Sequence, residues 1–178
     1  VKILFTGGGS AGHVTPNVAL IERLQSEGHE VLYLGSAMGI EREIIAKLNI
    51  PYRAIATGKL RRYFSWQNFV DPFKILYGVL QALLAVASEK PQVVFSKGGF
   101  VSVPVVFAAW FNGIPVISHE SDVTPGLATR LNLPFSRWLC VNFEESQEHI
   151  KSDKVRVTGT PMRLALVQGN AVKGRKFL

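Results

Sequence analysis

Residues 5–16, FTGGGSAGHVTP, decide how this chain is to be read. Residues 2–6, KILFT, are a short apolar run of strand formers. Thr15-Pro16 has the form of an N-cap followed by proline at the first helical position. Apolar Val18, Ile21 and Leu24 follow, and Gly28 is placed to end the helix. The glycine segment therefore joins a strand to a helix. Glycine lets the backbone turn sharply and lets a ligand approach its N–H groups. The helix N-terminus adds partial positive charge, so the two together favour an anion such as phosphate. A tight turn is the plainer reading of a single glycine. Gly7, Gly8, Gly9 and Gly12 with His13 between a strand and a helix favour a ligand loop.

The same alternation continues along the chain. Strand-like runs fall at 2–6, 31–35, 52–56, 92–96, 115–118, 138–142 and 155–157. Helical patterns lie at about 16–27, 40–48, 72–89, 103–112, 125–132 and 144–150. This predicts an α/β fold, a Rossmann-like doubly wound parallel sheet covered on both faces. Apolar strands such as VVF and PVIS, without polar alternation, agree with burial on both faces. Ligands of such sheets collect at the carboxyl ends of the strands. The helix over 72–89 is predicted to start with Asp71 as N-cap and Pro72 at its first position. Phe73, Leu76, Leu80, Leu83 and Leu84 are its expected core stripe. Before it, GKLRRYFSWQNFV (58–70) mixes basic and aromatic residues over a length unusual for a loop.

Composition narrows the function classes. The 178 residues suit one domain, and 47% hydrophobic content suffices for a core. The one cysteine, Cys140, cannot form an internal disulfide and is expected to be a buried small hydrophobe, which fits a cytoplasmic protein. The net charge of +7 favours an acidic partner. The basic residues are dispersed and no nucleic-acid motif is present, so no nucleic-acid partner is expected. The chain enters a strand at once, so no signal peptide is expected. The apolar stretch 75–87 contains Gln81 and is too short to span a bilayer.

Gly7, Gly9 and Gly12 match G-x-G-x-x-G, but a dinucleotide site also needs an acid at the end of the second strand. That strand ends Leu34-Gly35-Ser36, and Glu41 falls in the next helix. A nicotinamide site is thereby disfavoured. His13, His29, His119 and His149 are scattered, so no metal is expected, and no cofactor either. His29 and His149 are expected at the surface.

Three further strand-end loops stand out. SKGGFVSVP (96–104) places Lys97 before Gly98-Gly99-Phe100, a second anion cradle or an ordinary turn. SHESDVTPG (118–126) crowds His119, Glu120, Ser121 and Asp122 after a buried strand, and Thr124-Pro125 is read as opening a helix. GTPMR (159–163) is a glycine-proline turn carrying Arg163.

GGGSAGHVTP, GGFVSVP, GIPVISHESD, TPGLATR and GTPMR, in this order, closely resemble the N-terminal half of the MurG family. These are the undecaprenyl-diphospho-muramoylpentapeptide N-acetylglucosaminyltransferases of bacterial cell-wall synthesis. The resemblance covers essentially the whole chain. It implies the N-terminal domain of a GT-B glycosyltransferase, residues 1–163, with 164–178 beginning an interdomain linker and the C-terminal domain absent from the chain. The implied acceptor is lipid I, and the implied donor, UDP-N-acetylglucosamine, is held mostly by that other domain. The half alone is expected to be inactive.

By the same resemblance, Gly8, Gly9, Ser10, Ala11, Gly12, Lys97, Gly98, Gly99 and Phe100 would face the acceptor diphosphate. Ser10, Ala11, Gly12, Asp122 and Arg163 would reach the donor. The reaction inverts the anomeric centre: the muramoyl C4 hydroxyl attacks C1 of N-acetylglucosamine and UDP leaves. His13 is the first candidate for the base, Glu120 the second. The chain departs from the common pattern at Ser121-Asp122, where Gln-Asn is usual, and at Lys97, where a small or apolar residue is usual. A carboxylate at Asp122 cannot donate hydrogen bonds as an amide does. A lipid-linked acceptor places the enzyme peripherally on the cytoplasmic face of the plasma membrane. Lys59, Arg61, Arg62 and Lys74 would meet anionic lipid, with Trp66, Phe69, Phe73 and Trp110 at the interface, although core is the first expectation for Phe73. Two alternatives stay open: a Rossmann oxidoreductase domain, and a non-catalytic membrane-recruiting subunit of a two-chain glycosyltransferase.

Overall fold

The computed structural model describes residues 1–57 and 67–163, with residues 67–73 as backbone only. Seven strands form one sheet: β1 Lys2–Thr6, β2 Glu30–Ser36, β3 Tyr52–Ile55, β4 Val93–Ser96, β5 Val116–Glu120, β6 Trp138–Val141 and β7 Val155–Val157. Every pairing is parallel and the order is β3-β2-β1-β4-β5-β6-β7. Helices α1 Thr15–Ser26, α2 Ile40–Ala46, α3 Gln67–Glu89, α4 Ser102–Phe111, α5 Leu127–Asn132 and α6 Ser146–His149 connect them.

The doubly wound arrangement follows from alternation within β1. Leu4 points into one core with Leu32, Leu34, Ala82, Val86, Val94 and Val105. Ile3 and Phe5 point into the other, with Val14, Val18, Ile21, Val31 and Tyr33. Both faces exclude water, which is why these strands read as nearly unbroken apolar runs. Winding reverses between β1 and β4, so the loops after these two strands flank the crevice where such sheets bind ligands.

Helix α3 differs from its sequence reading in start and in orientation. It begins at Gln67, so Asp71 and Pro72 lie inside it. A proline there forgoes one backbone hydrogen bond, a local cost within a 23-residue helix. The expected leucine stripe is on the wrong face: Leu76, Leu80 and Leu84 are 61%, 52% and 73% exposed, and only Leu83 packs on the core. The buried face carries Gly78, Ala82, Ala85 and Val86. A β-carbon at Gly78 would run into the Ala56 carbonyl, so the helix lies too close to β3 for large residues on that side. Gln81 fixes this approach by accepting the Ala56 N–H at 2.6 Å. The side chains of Phe69 and Phe73 lie outside the described residues, as does the segment holding Lys59, Arg61, Arg62 and Trp66. So do residues 164–178, the expected linker.

Three smaller differences bear on the site. Helix α1 starts one residue early, with Val14 as N-cap and no side-chain cap, because a 3-10 turn at Ala11–His13 runs directly into it. Strand β5 extends through His119 and Glu120, which pair with Cys140 and Val141, so both are strand-end rather than loop residues. Helix α5 starts at Leu127 instead of Pro125, because the Gly126 N–H is drawn to Glu120 Oε2 at 3.1 Å and Gly126 stays extended. Cys140 is half-buried rather than fully buried, and burial raises its thiol pKa.

Candidate functional site

The loop after β1 divides into two parts. Its first part is built into the fold. Gly7 is pinned from below by Tyr33, whose hydroxyl donates to the Gly7 carbonyl at 2.7 Å. Asn17 in turn donates to the Tyr33 hydroxyl at 3.0 Å and to the Thr6 carbonyl at 3.3 Å. The Gly8 N–H goes to the Gly98 carbonyl at 3.3 Å, and the Gly9 N–H to Glu41 Oε2 at 3.3 Å. The second part is open. Among the described residues, no acceptor takes the N–H groups of Ser10, the cap of the 3-10 turn, or of Ala11 and Gly12 within it, and all three residues are exposed. Successive unpaired N–H groups at a helical N-terminus suit an oxyanion.

Glu41 was not foreseen as part of this site. It stands in the first turn of α2, wholly buried, and accepts from the Ser36 N–H at 3.0 Å and the Ser36 hydroxyl at 2.5 Å besides Gly9. A β-carbon at Gly8 or Gly39 would strike its carboxyl group. The acid missing from the end of β2 is thus present one turn later, but it binds backbone instead of a ribose.

The second glycine loop packs against the first. Gly98 and Gly99 have φ of 83° and 80°, and a β-carbon at Gly99 would collide with the Gly8 carbonyl. Phe100 lays its ring against Gly9, where a β-carbon would come within 2.7 Å of it. Lys97 is 1% exposed. Its side chain passes beneath Gly7 and donates from Nζ to Ser121 Oγ at 2.6 Å. Burial pushes the Lys97 pKa below the usual lysine range, with Glu120 and Asp122 opposing it.

His13 sits where the two loops meet. Its Nδ1 lies 3.1 Å from the Lys97 carbonyl oxygen. A carbonyl only accepts, so Nδ1 carries the hydrogen and Nε2 keeps its lone pair in the neutral ring. That is the form a general base requires.

Glu120 serves a different purpose. It accepts from the N–H groups of Ser121, Asp122 and Gly126 at 2.8, 3.0 and 3.1 Å, and from the Thr129 hydroxyl at 2.6 Å. Burial works to raise its pKa, but these bonds outweigh it and hold the carboxyl below its usual range. A carboxylate with four donors has little basicity left, and this one shapes the loop into α5. His119 is also buried, donating Nε2–H to the Gly159 carbonyl at 2.9 Å. Burial, reinforced by Lys97, keeps its pKa below the usual value. It ties β5 to the GTPMR turn.

The end of the first glycine loop with the start of α1, Ser121, Asn142 and the GTPMR turn border an open cleft of about 380 Å³ lined by Gly12, Thr15, Pro16, Ser121, Asn142, Thr160, Pro161, Met162 and Arg163; no residue of the second glycine loop is among them. Arg163 stands at its edge, paired with Glu22 of α1 at 2.9 Å. Asp122 is exposed beside it. Trp110 is remote from the cleft, on α4, half-exposed and packed on Phe107 and Phe135. His149 is exposed and His29 partly so. Among the described residues, no group of three His, Cys, Asp or Glu gathers as a metal site would require. No helix among them is long and apolar enough to cross a membrane.

Comparison with known proteins adds the family. A UDP-N-acetylglucosamine--N-acetylmuramyl-(pentapeptide) pyrophosphoryl-undecaprenol N-acetylglucosamine transferase of Clostridium kluyveri is 59% identical over 176 residues, 99% of this chain and 50% of that protein. The enzyme of the same name from Clostridium perfringens is 58% identical over 99% of this chain and 49% of its own length. The chain therefore spans about half the length of these relatives. The crystal structure of MurG from Acinetobacter baumannii superposes with a TM-score of 0.76 at 27% identity, covering 91% of this chain and 46% of that one. The family model described as the glycosyltransferase family 28 N-terminal domain matches residues 3–138, and the chain belongs to that family.

Proposed function

We propose that this chain is the acceptor-binding half of an inverting transferase that moves N-acetylglucosamine from UDP-N-acetylglucosamine to the muramoyl C4 hydroxyl of lipid I, making lipid II. The observation that carries the reading is the junction of the two glycine loops. There, three unpaired N–H groups at Ser10–Gly12 adjoin a histidine whose Nε2 lone pair is held ready by the Lys97 carbonyl. The turn binds a diphosphate, and His13 Nε2 takes the hydroxyl proton as the C4 oxygen attacks C1 and UDP departs. Glu120 holds the loop rather than the proton. Gly8, Gly9, Gly98, Gly99 and Phe100 shape the acceptor side, and Asp122 and Arg163 stand at the rim toward the donor. Residues 1–163 form the acceptor domain, 164–178 begin the linker, and a second domain supplies most of the donor site.

A lipid-linked acceptor requires a membrane surface, here the cytoplasmic face of the bacterial plasma membrane. The exposed ridge Leu76, Leu80 and Leu84 on α3, with Trp110 on α4, supports that docking. Lys59, Arg61 and Arg62 would add about 1 kcal/mol each on anionic lipid, and Trp66 and Phe69 are proposed as interfacial aromatics.

The test is calorimetric titration of the chain with a water-soluble lipid I analogue. Saturable binding, weakened by Gly12→Ala and kept in His13→Ala, is expected: the first places a methyl group where the ligand would approach the open N–H groups, the second removes only the base. Absence of binding to the analogue would overturn the acceptor-binding reading of this half.

A further inference from the structure

Ser121 is held at three points and left with one free bond to give. Its N–H goes to Glu120 Oε1 at 2.8 Å, its carbonyl accepts Asn142 Nδ2–H at 3.0 Å, and its Oγ accepts from Lys97 Nζ at 2.6 Å. An ammonium only donates, so the serine oxygen must accept here and its own hydrogen must point elsewhere. Among the described residues no acceptor takes that hydrogen, and Ser121 lines the cleft beside Gly12, Thr15 and Arg163. Lys97 itself cannot reach the cleft, being 1% exposed beneath Gly7. A hydroxyl that accepts from a cation becomes a stronger donor, because the chain of hydrogen bonds is polarised in one direction.

We infer that Lys97 and Ser121 form an anion-recognition relay, in which the buried ammonium presents the Ser121 O–H to an oxygen of a diphosphate in the cleft. Lys97 is the positioning residue and Ser121 the contact. The inference rests on the reading of this cleft as a diphosphate site and adds the donor that reads it. The neighbouring carboxylates do not compete. Glu120 is turned toward Gly126 and Thr129 with its four donors, and Asp122 is exposed outside the cleft lining. The diphosphate belongs either to a nucleotide or to a prenyl lipid, and both present the same oxyanion.

The experiment is titration of the chain with inorganic pyrophosphate, UDP and farnesyl diphosphate, using wild type, Ser121→Ala, Ser121→Thr, Lys97→Met and the double variant Lys97→Met/Ser121→Ala. Thermal melts accompany each variant. Loss of one charge-assisted hydrogen bond predicts about tenfold weaker pyrophosphate binding in Ser121→Ala. Ser121→Thr, which keeps the hydroxyl, should bind as wild type. Lys97→Met should weaken binding by a similar factor, and the double variant no further, since the pair acts as one unit. A preference for UDP or for farnesyl diphosphate assigns the relay to the donor or the acceptor side. If Ser121→Ala binds pyrophosphate like wild type, or wild type binds none of the three, the relay is overturned. Ser121→Ala settles this even if Lys97→Met fails to fold. If the lipid I analogue fails to bind while pyrophosphate binding still depends on Ser121, the relay stands and the acceptor reading falls.

Discussion

The two glycine loops look alike in sequence, and Gly8 and Gly9 of the first are as constrained as those of the second, since β-carbons there would strike Glu41 and the Phe100 ring; the contrast lies between Gly12, which ends the first loop, and the pair Gly98-Gly99. Gly98 and Gly99 need left-handed backbone, and Gly99 also needs the space of its missing side chain because the Gly8 carbonyl fills it. Gly12 has neither need: nothing but Ser10 Oγ comes near a β-carbon there, at 3.8 Å. The first loop thus ends in open N–H groups, whereas the second acts as the wedge that holds the first in place. Glycine count marks close approach, but only the neighbours tell whether backbone or ligand does the approaching.

The sharpest break of this comparison is Gly99→Ala. Left-handed strain and the collision together should cost about 2–4 kcal/mol, lowering the melting temperature by roughly 5–15 °C for a domain of this size. An unchanged melting curve would mean that the loops are not interlocked.

Next comes Glu120→Gln, which removes the carboxylate that four donors share. Stability at pH 7 should fall by about 2 kcal/mol, measured by urea unfolding. The wild-type carboxyl titrates below its ordinary value of 4.5, so its contribution is complete above that pH. It is lost as pH falls below 4.5 through the folded-state pKa, and the gap between the two proteins should close there. A gap that persists at low pH would point to packing rather than charge.

Gly12→Ala should leave stability within about 0.5 kcal/mol while weakening pyrophosphate about tenfold, the worth of one displaced hydrogen bond. An Ala variant that binds normally would move the anion away from the turn.

Smallest in stability is Leu80→Ser on the exposed α3 ridge, expected to change folding by less than about 0.5 kcal/mol. Its effect should appear instead as reduced sedimentation with anionic vesicles. A large fall in melting temperature would show that the ridge is covered within the protein.

Much of the fold was legible because its signals are local. Apolar strand runs, glycine stops and helical periodicity are carried by neighbouring residues, and each of the seven strands overlaps the run the sequence assigns to it, β5 continuing two residues further. Helix α3 shows the limit. Its leucines and its alanines are both apolar at helical spacing, and size misleads: the close approach at Gly78 turns the small residues inward. Pro72 misleads similarly, since a proline that begins many helices is tolerated inside this one.

For the site, the sequence by itself determined the loops, their place at the carboxyl ends of the strands, and His13, Lys97 and Glu120 as residues of interest. Tertiary structure decided what each one touches. Glu41 reaches Gly9 across 32 residues, Lys97 reaches Ser121 across 24, and His13 finds the Lys97 carbonyl across 84. Such partners are set by strand order in a parallel sheet, where β1, β4 and β5 are adjacent although far apart in the chain. Composition and periodicity record which residues leave water. They carry no record of which buried donor meets which acceptor, because that depends on how crossovers bring the strand ends together.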